Sequence, residues 1–277
     1  MVIVLVPPSS PKEREVTVAQ LMNGRSVMKS PFIPIFDCRD FMSVLGVTLS
    51  RNRAAYTIIS LPVVEMDKQS KLIVIEKPKV CTRTISRLKG KPEEDPFCFM
   101  SAIRSSLGLP GMNSSMPVRD AGILGLPSIS SDSSADAINL LKFHAVIAHE
   151  LRREFGIPVN EIPIASVRRE LGLGSSNGSD AKRKLVECFQ LEVSDRDSSS
   201  TNNVHQTMAE SWGVAHVLQR RQLIKEIRTR FPEAPERVAN EVRNRKVFRD
   251  RGNAKDEVIH ELINSEVDKI LLKRLGF

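Results

Sequence analysis

The densest chemistry in the chain lies just after Glu76. The segment KPKVCTRTISRLKGK carries six cations, Lys77, Lys79, Arg83, Arg87, Lys89 and Lys91, and no acid. Such a run is either a solvated loop or a track for a polyanion, because each Lys or Arg set against a nucleic-acid phosphate releases condensed counterions. Glu76 itself closes the apolar run KLIVIE and, taken alone, reads as a strand-end acid paired with Lys77 or Arg83. A second cationic group, Lys182, Arg183 and Lys184, opens an expected helix, where the macrodipole disfavours positive charge. A phosphate held there would account for it, and Arg168 and Arg169 on the preceding helix are of the same kind. Glu210 stands near the start of a later helix with His205 about one turn before it. A carboxylate in that place is favoured by the dipole alone. His144 and His149, five residues apart, fall on different sides of a helix and make no metal pair. Cys38, Cys81, Cys98 and Cys188 contain no CxxC pair, which suggests neither a zinc knuckle nor a secreted disulfide framework.

The elements that would position these groups can be read from pattern. With 277 residues, 41% hydrophobic and 27% charged, the chain has material for one large domain or two modest ones and is not disordered throughout. Its 41 Lys+Arg against 33 Asp+Glu give a net charge of +8, while 5% aromatics leave little for base-stacking platforms. Any nucleic-acid binding would rest on Lys and Arg. No run approaches the roughly 18 apolar residues of a membrane span, and no cationic leader precedes the apolar start. The expectation is a soluble, intracellular protein in a reducing compartment, with no membrane partner.

Residues 1–31 read as an N-terminal extension. From Phe32 the strings FIPIF, SVLGVTLS, RAAYTIISLPVV and KLIVIE predict four strands of an antiparallel sheet. The window 77–134, rich in Gly, Pro and Ser, predicts an insertion with one helix around DPFCFMSAIRSSLG. Helical periodicity returns in SADAINLLKFHAVIAHELRREFG, followed by the strand IPVNEIPI, the helix IASVRRELG, the helix SSNGSDAKRKLVECFQL and a long helix from VHQTMAESW to Phe231. A strand after a long helix most economically joins the sheet beside the earlier strand through a right-handed crossover. The fold class expected is therefore α/β. Pro232 and Pro235 introduce a helical tail over 232–277, and from Leu218 onward 15 Lys+Arg meet 10 Asp+Glu.

This element order resembles the ribonuclease H architecture, a mixed sheet flanked by helices, and several strings are similar to the RuvC-like Holliday junction resolvase family. SVLGVTLSRNRAAYTIIS resembles the family's opening strand, loop and second strand. KLIVIEKP resembles the strand that closes on its second catalytic carboxylate. SADAINLLKFHAVIAHELRREFGIPVNEIPIASVRRELG resembles the helix, strand and helix that follow, GLGSSNGSDAKRKLV the Gly-containing loop and Lys-bearing helix, and MAESWGVAHVL the closing acidic helix. The likeness covers roughly residues 43–221, so residues 32–231 are expected to form the resolvase-like domain.

What the resemblance implies is phosphodiester hydrolysis by Mg²⁺ or Mn²⁺. In-line attack needs two ions about 4 Å apart, held by three or four converging carboxylates. Here the first expected acid position holds Thr48, Glu76 keeps the second, Glu210 matches one acid of the closing helix and Thr207 stands where another belongs. A neutral hydroxyl supplies no charge to offset dehydration of the metals. The expectation is a homodimer that binds branched or duplex DNA, with a degraded catalytic and metal site at Glu76 and Glu210. One alternative is an active endonuclease completed by Asp37, Asp40 or His205. Another is an assembly protein that uses its basic insertion and C-terminal helices for protein or RNA contacts.

Overall fold

The structure, a computed structural model, describes residues 42–50, 53–86, 95–107, 118–126, 135–174, 178–193, 202–244 and 256–277. These belong to a compact unit, Ile35–Phe277. The expected extension over 1–31 and the strand FIPIF lie outside the described residues.

The strands are β1 (Ser43–Leu49), β2 (Arg53–Ser60), β3 (Val63–Met66), β4 (Leu72–Glu76), β5 (Val80–Ser86), β6 (Val118–Leu124) and β7 (Val159–Ile162). The helices are α1 (Asp95–Ser106), α2 (Ala135–Phe155), α3 (Ile164–Glu170), α4 (Gly178–Val193), α5 (Asn202–Arg230), α6 (Glu233–Arg243) and α7 (Asp256–Leu275). Five strands form one sheet in the order β5-β2-β1-β6-β7. β1 pairs antiparallel with β2 and parallel with β6, β2 antiparallel with β5, and β6 parallel with β7. An antiparallel meander extended by two parallel strands, each entered from a helical layer, is the ribonuclease H-like α/β arrangement. β1 is buried at every residue, as a central strand covered on both faces should be.

Period-2 alternation sorts the two faces. Leu45, Val47, Tyr56 and Ile58 meet Phe99 and Ile103 of α1 and Phe143, Ile147 and Leu151 of α2. Val44, Ile59 and Ile162 meet Val167 of α3, Leu185 and Phe189 of α4, and Trp212, Val214 and Leu218 of α5. Trp212 thus packs α5 on the sheet. A third cluster joins Val64 of β3 to Leu223 and Ile227 of α5, Val238 and Val242 of α6, and Ile263, Val267 and Leu271 of α7. The tail over 232–277 thus has a core of its own with the far end of α5.

Two expectations are corrected here. The window 77–134 supplies β5, α1 and β6, so two of the five sheet strands lie within the presumed insertion. KLIVIE is not a strand of that sheet at all, because β3 and β4 pair with each other in a separate hairpin. Ile73 and Ile75 on its outer side are 43% and 54% exposed, so the unbroken apolar run that looked like a core strand is packed on one face only.

The face under α1 is anchored by Tyr56, whose hydroxyl donates to the Ala102 carbonyl at 3.0 Å and pairs with Ser106 Oγ at 2.6 Å. Burial pushes its phenol up to about 12. Tyr56 is the one tyrosine of the chain, so ultraviolet titration reads it directly. A folded-state pKa above the unfolded value means stability is intact below about pH 10 and is lost as pH rises toward 12. Tyrosinate absorbance is expected to stay flat through pH 10 in the folded protein. A midpoint near 10 with the fold intact would show that the hydroxyl is not buried.

Candidate functional site

The site is built where α5 meets the carboxyl end of β1. Gly46 of β1 faces α5 so closely that a Cβ there would strike the Ser211 carbonyl oxygen and the Ala215 amide nitrogen. Further along, Gln219 Nε2 donates to the Ser60 carbonyl at 3.0 Å, and Ser60 lies opposite Ser43 at the start of β1. The helix therefore runs antiparallel to β1. At about 1.5 Å per helical residue and about 3.3 Å per strand residue, Thr207 comes to within about one helical turn of the level of Thr48, both beyond the Gly46 contact. Thr48 is 1% and Thr207 7% exposed. The Thr48 hydroxyl is buried with no hydrogen-bond partner. One level deeper, Thr57 Oγ1 pairs at 2.9 Å with both Thr82 Oγ1 and Ser211 Oγ, and Ser211 donates to the Met208 carbonyl. This end of the sheet is lined with neutral hydroxyls.

Glu210 is the acid brought to this end among the described residues of α5's first turns. Its position follows from Gly213, whose missing side chain leaves room for Val167 of α3 and Leu185 of α4. Glu210 lies three residues before Gly213 and Lys182 three before Leu185, so each is on the face of its own helix that leads to this junction. Arg168 is next to Val167. The Glu210 carboxylate accepts from Gln206 Nε2 at 2.9 Å. Burial raises its pKa above the usual carboxylate range, with the Gln206 bond and then the nearby Lys182 and Arg168 charges pulling the other way. A carboxyl whose folded pKa is raised contributes stability below its unfolded pKa and loses it as pH rises through the folded value. Glu210→Gln, which keeps the acceptor for Gln206, is therefore expected to raise Tm by a few degrees at pH 7–8, with the gain vanishing below about pH 4.3. Equal Tm values across that range would mean that Glu210 is not desolvated.

The expected cations divide by environment. Arg168 has a buried Nε without a hydrogen-bond partner, and Arg169, Lys182, Arg183 and Lys184 are exposed. Arg183 is engaged with Asp180 at 3.7 Å and Glu187 at 3.5 Å. Arg83 lies opposite Tyr56 and so points to the α1 face, on the other side of the sheet from the neutral hydroxyls. Lys77 and Lys79 flank the hairpin at the other end of the sheet. Arg87, Lys89, Lys91, Asp37 and Asp40 lie outside the described residues, as does the His205 side chain.

Glu76 is the main correction to the expected site. It pairs opposite Val63 in the hairpin and lies 3.9 Å from Lys79 Nζ. Lys79 is fixed by backbone bonds to Ser60, at the amino end of β1. The Gln219 contact marks that same level on α5, nine residues or roughly 13 Å along the helix from Glu210. Glu76 and Glu210 therefore stand at opposite ends of the sheet and cannot share an ion whose ligands each sit near 2.1 Å. Sheet order shows why the alignment of KLIVIE misleads. The strand parallel to β1 is β6, and Leu124, not an acid, continues the register beyond Val47 and Ile123.

A divalent metal does not fit this donor set. Among the described residues no group of three His, Cys, Asp or Glu could hold one, and the orphaned Thr48 hydroxyl offers neither charge nor a second ligand. Sequence reasoning had singled out Thr48, Thr207, Glu210, Arg168 and Lys182, and the structure brings these to one end. It missed Gln206 and Gly213, whose only signal was their spacing of four and three residues from Glu210.

No protein-family model matches the sequence, and no curated protein matches it. Among solved structures, the chain is similar to Thermus thermophilus RuvC, with 11% identity over 65% of this chain and 96% of that one and a TM-score of 0.40. It is also similar to T. thermophilus RuvC in complex with a Holliday junction substrate, with 11% identity, the same coverage and a TM-score of 0.38. Fowlpox virus resolvase in complex with Holliday junction DNA shows 12% identity over 66% of this chain and 99% of that one, with a TM-score of 0.33. The class that the strand order itself defines is ribonuclease H-like. Among the described residues no helix is long and apolar enough to cross a membrane.

Proposed function

We propose that this chain binds branched or duplex DNA through its phosphates, on a ribonuclease H-like scaffold whose metal-dependent phosphodiesterase centre is degraded. The observation that carries the reading is the burial of Thr48 and Thr207 at the end where α5 meets β1. Two buried hydroxyls stand where the resemblance calls for charge, and the acid that remains nearby, Glu210, is set toward two cations. Without converging carboxylates the end repels phosphate less, and Arg168, Lys182 and Lys184 are left to attract it. A four-way junction is the substrate that the sequence resemblance implies, met by a homodimer.

The test is affinity for a labelled four-way junction as a function of salt, in EDTA. Tight binding whose log K falls steeply and linearly with log salt is expected, since each neutralised phosphate releases counterions. A flat salt dependence, or no binding to junction or duplex DNA, would refute the reading. A preference for RNA or for a protein partner would favour the assembly alternative.

A further inference from the structure

We propose that Arg168 and Lys182 form a metal-independent clamp for a DNA phosphodiester, and that Glu210 is the internal anion occupying their field until the phosphate displaces it. This rests on the DNA-binding reading above, and it gives Glu210 a role opposite to that of a metal ligand.

The geometry begins at Gly213. Val167, Leu171 and Leu185 close around this glycine, so a Cβ there would come within 2.8 Å of Val167 Cγ1 and 3.3 Å of Leu185 Cδ1. Three helices thereby meet at one point, and the charges of Arg168 from α3 and Lys182 from α4 reach Glu210 of α5. Several other charges of this neighbourhood are already engaged. Arg183 is held between Asp180 and Glu187 on its own helix. The Glu170 carboxylate accepts from Nε and Nη2 of Arg221, and its carbonyl accepts from Arg220. Among the described residues, Arg168 and Lys182 form no ion pair of their own.

Arg168 is the more telling of the two. Its Nε is buried and makes no hydrogen bond, an arrangement that costs free energy unless something arrives to accept from it. A guanidinium presents its donors as a planar fork that fits two phosphate oxygens, and a mobile ammonium such as Lys182 adds a point charge beside it. Glu210 does not complete that fork. Its hydrogen bond comes from the neutral Gln206 amide, so it reduces the local positive field without satisfying the Arg168 donor. A phosphodiester approaching this junction meets two cations and one carboxylate. Removing the carboxylate charge while keeping its shape should therefore strengthen binding.

The experiment measures fluorescence anisotropy of a labelled four-way DNA junction with the full chain in EDTA. It compares wild type, Glu210→Gln, Lys182→Ala, Arg168→Ala/Lys182→Ala and the triple variant. Glu210→Gln is expected to tighten binding roughly three- to tenfold, as removal of one like charge near a bound phosphate should. The double variant is expected to weaken it at least tenfold and to lower the salt slope by about 0.9, one phosphate contact's worth. In the triple variant the Gln substitution should give no gain. Lys182 is exposed, so a severalfold weakening by Lys182→Ala alone reads the clamp even if the double variant folds poorly. Wild-type binding with Glu210→Gln unchanged or weaker would overturn the clamp and leave the DNA-binding reading standing, as would a requirement for Mg²⁺. Absence of wild-type binding would overturn both.

Discussion

Gly46→Ala is expected to cost about 3–5 kcal/mol of stability, enough to leave a marginal domain partly unfolded at 37 °C. The reason is that the added methyl meets backbone rather than a yielding side chain. It would fall on the Ser211 carbonyl oxygen and the Ala215 amide nitrogen, and 2.9 Å from Ala215 Cβ. Relief requires moving α5 as a body, and α5 also carries the Thr57–Ser211 hydroxyl pair and the Gln219–Ser60 bond. Gly122 is the control. A methyl there meets the ends of Ile162, Leu218 and Val214 side chains at 3.0–3.1 Å, which can shift by a few tenths of an ångström. Gly122→Ala is expected to cost about 1 kcal/mol or less. Urea denaturation of the two variants decides the matter, and similar losses in both would mean that α5 does not lie against β1 as described.

The second large effect is expected on placing charge at Thr48 and Thr207. Thr48→Asp/Thr207→Asp would place two carboxylates at one buried end, where each uncompensated charge costs several kcal/mol or titrates to its neutral form. The variant should be strongly destabilised in EDTA and regain part of its Tm in millimolar Mn²⁺, because an ion that binds only the folded state stabilises it by mass action. The wild type should show no such dependence. A variant as stable as wild type in EDTA would show that the two hydroxyls are not buried. A destabilised variant indifferent to Mn²⁺ would show that they do not face a common point.

How much of this was legible in the sequence depends on the range of the contact that decides it. SVLGVTL announced a central strand, and the helical periods of α2, α4 and α5 and the strand between α2 and α3 were all readable, because each is set by local pattern. The resemblance likewise set Thr48 and Thr207 where it expects acids. What failed was the placement of Glu76. LIVIE is as apolar as a core strand, and nothing in its residues says that it pairs with β3 rather than with β1. The strand that does lie beside β1, VRDAGIL, opens with Arg119 and Asp120, which mask it as a loop. Those charges are tolerated because Asp120 accepts from Asn160 and Gln222 at the sheet's amino end. The β1–β6 pairing closes across more than seventy residues of chain, and that choice of partner is made by the burial of both faces rather than by any local signal.

The same correction sharpens the functional reading. With Glu76 in the resolvase position, two carboxylates would still converge and residual hydrolysis would be reasonable. With Glu76 at the far end of the sheet, Glu210 belongs to no metal-holding group among the described residues, and the charges of Arg168 and Lys182 reach it. The most direct test of that claim is a cleavage assay on a labelled four-way junction with wild-type protein in saturating Mg²⁺ and, separately, Mn²⁺. The account predicts a bound but intact junction in both. Strand cleavage that EDTA abolishes and that survives purification to homogeneity would contradict it.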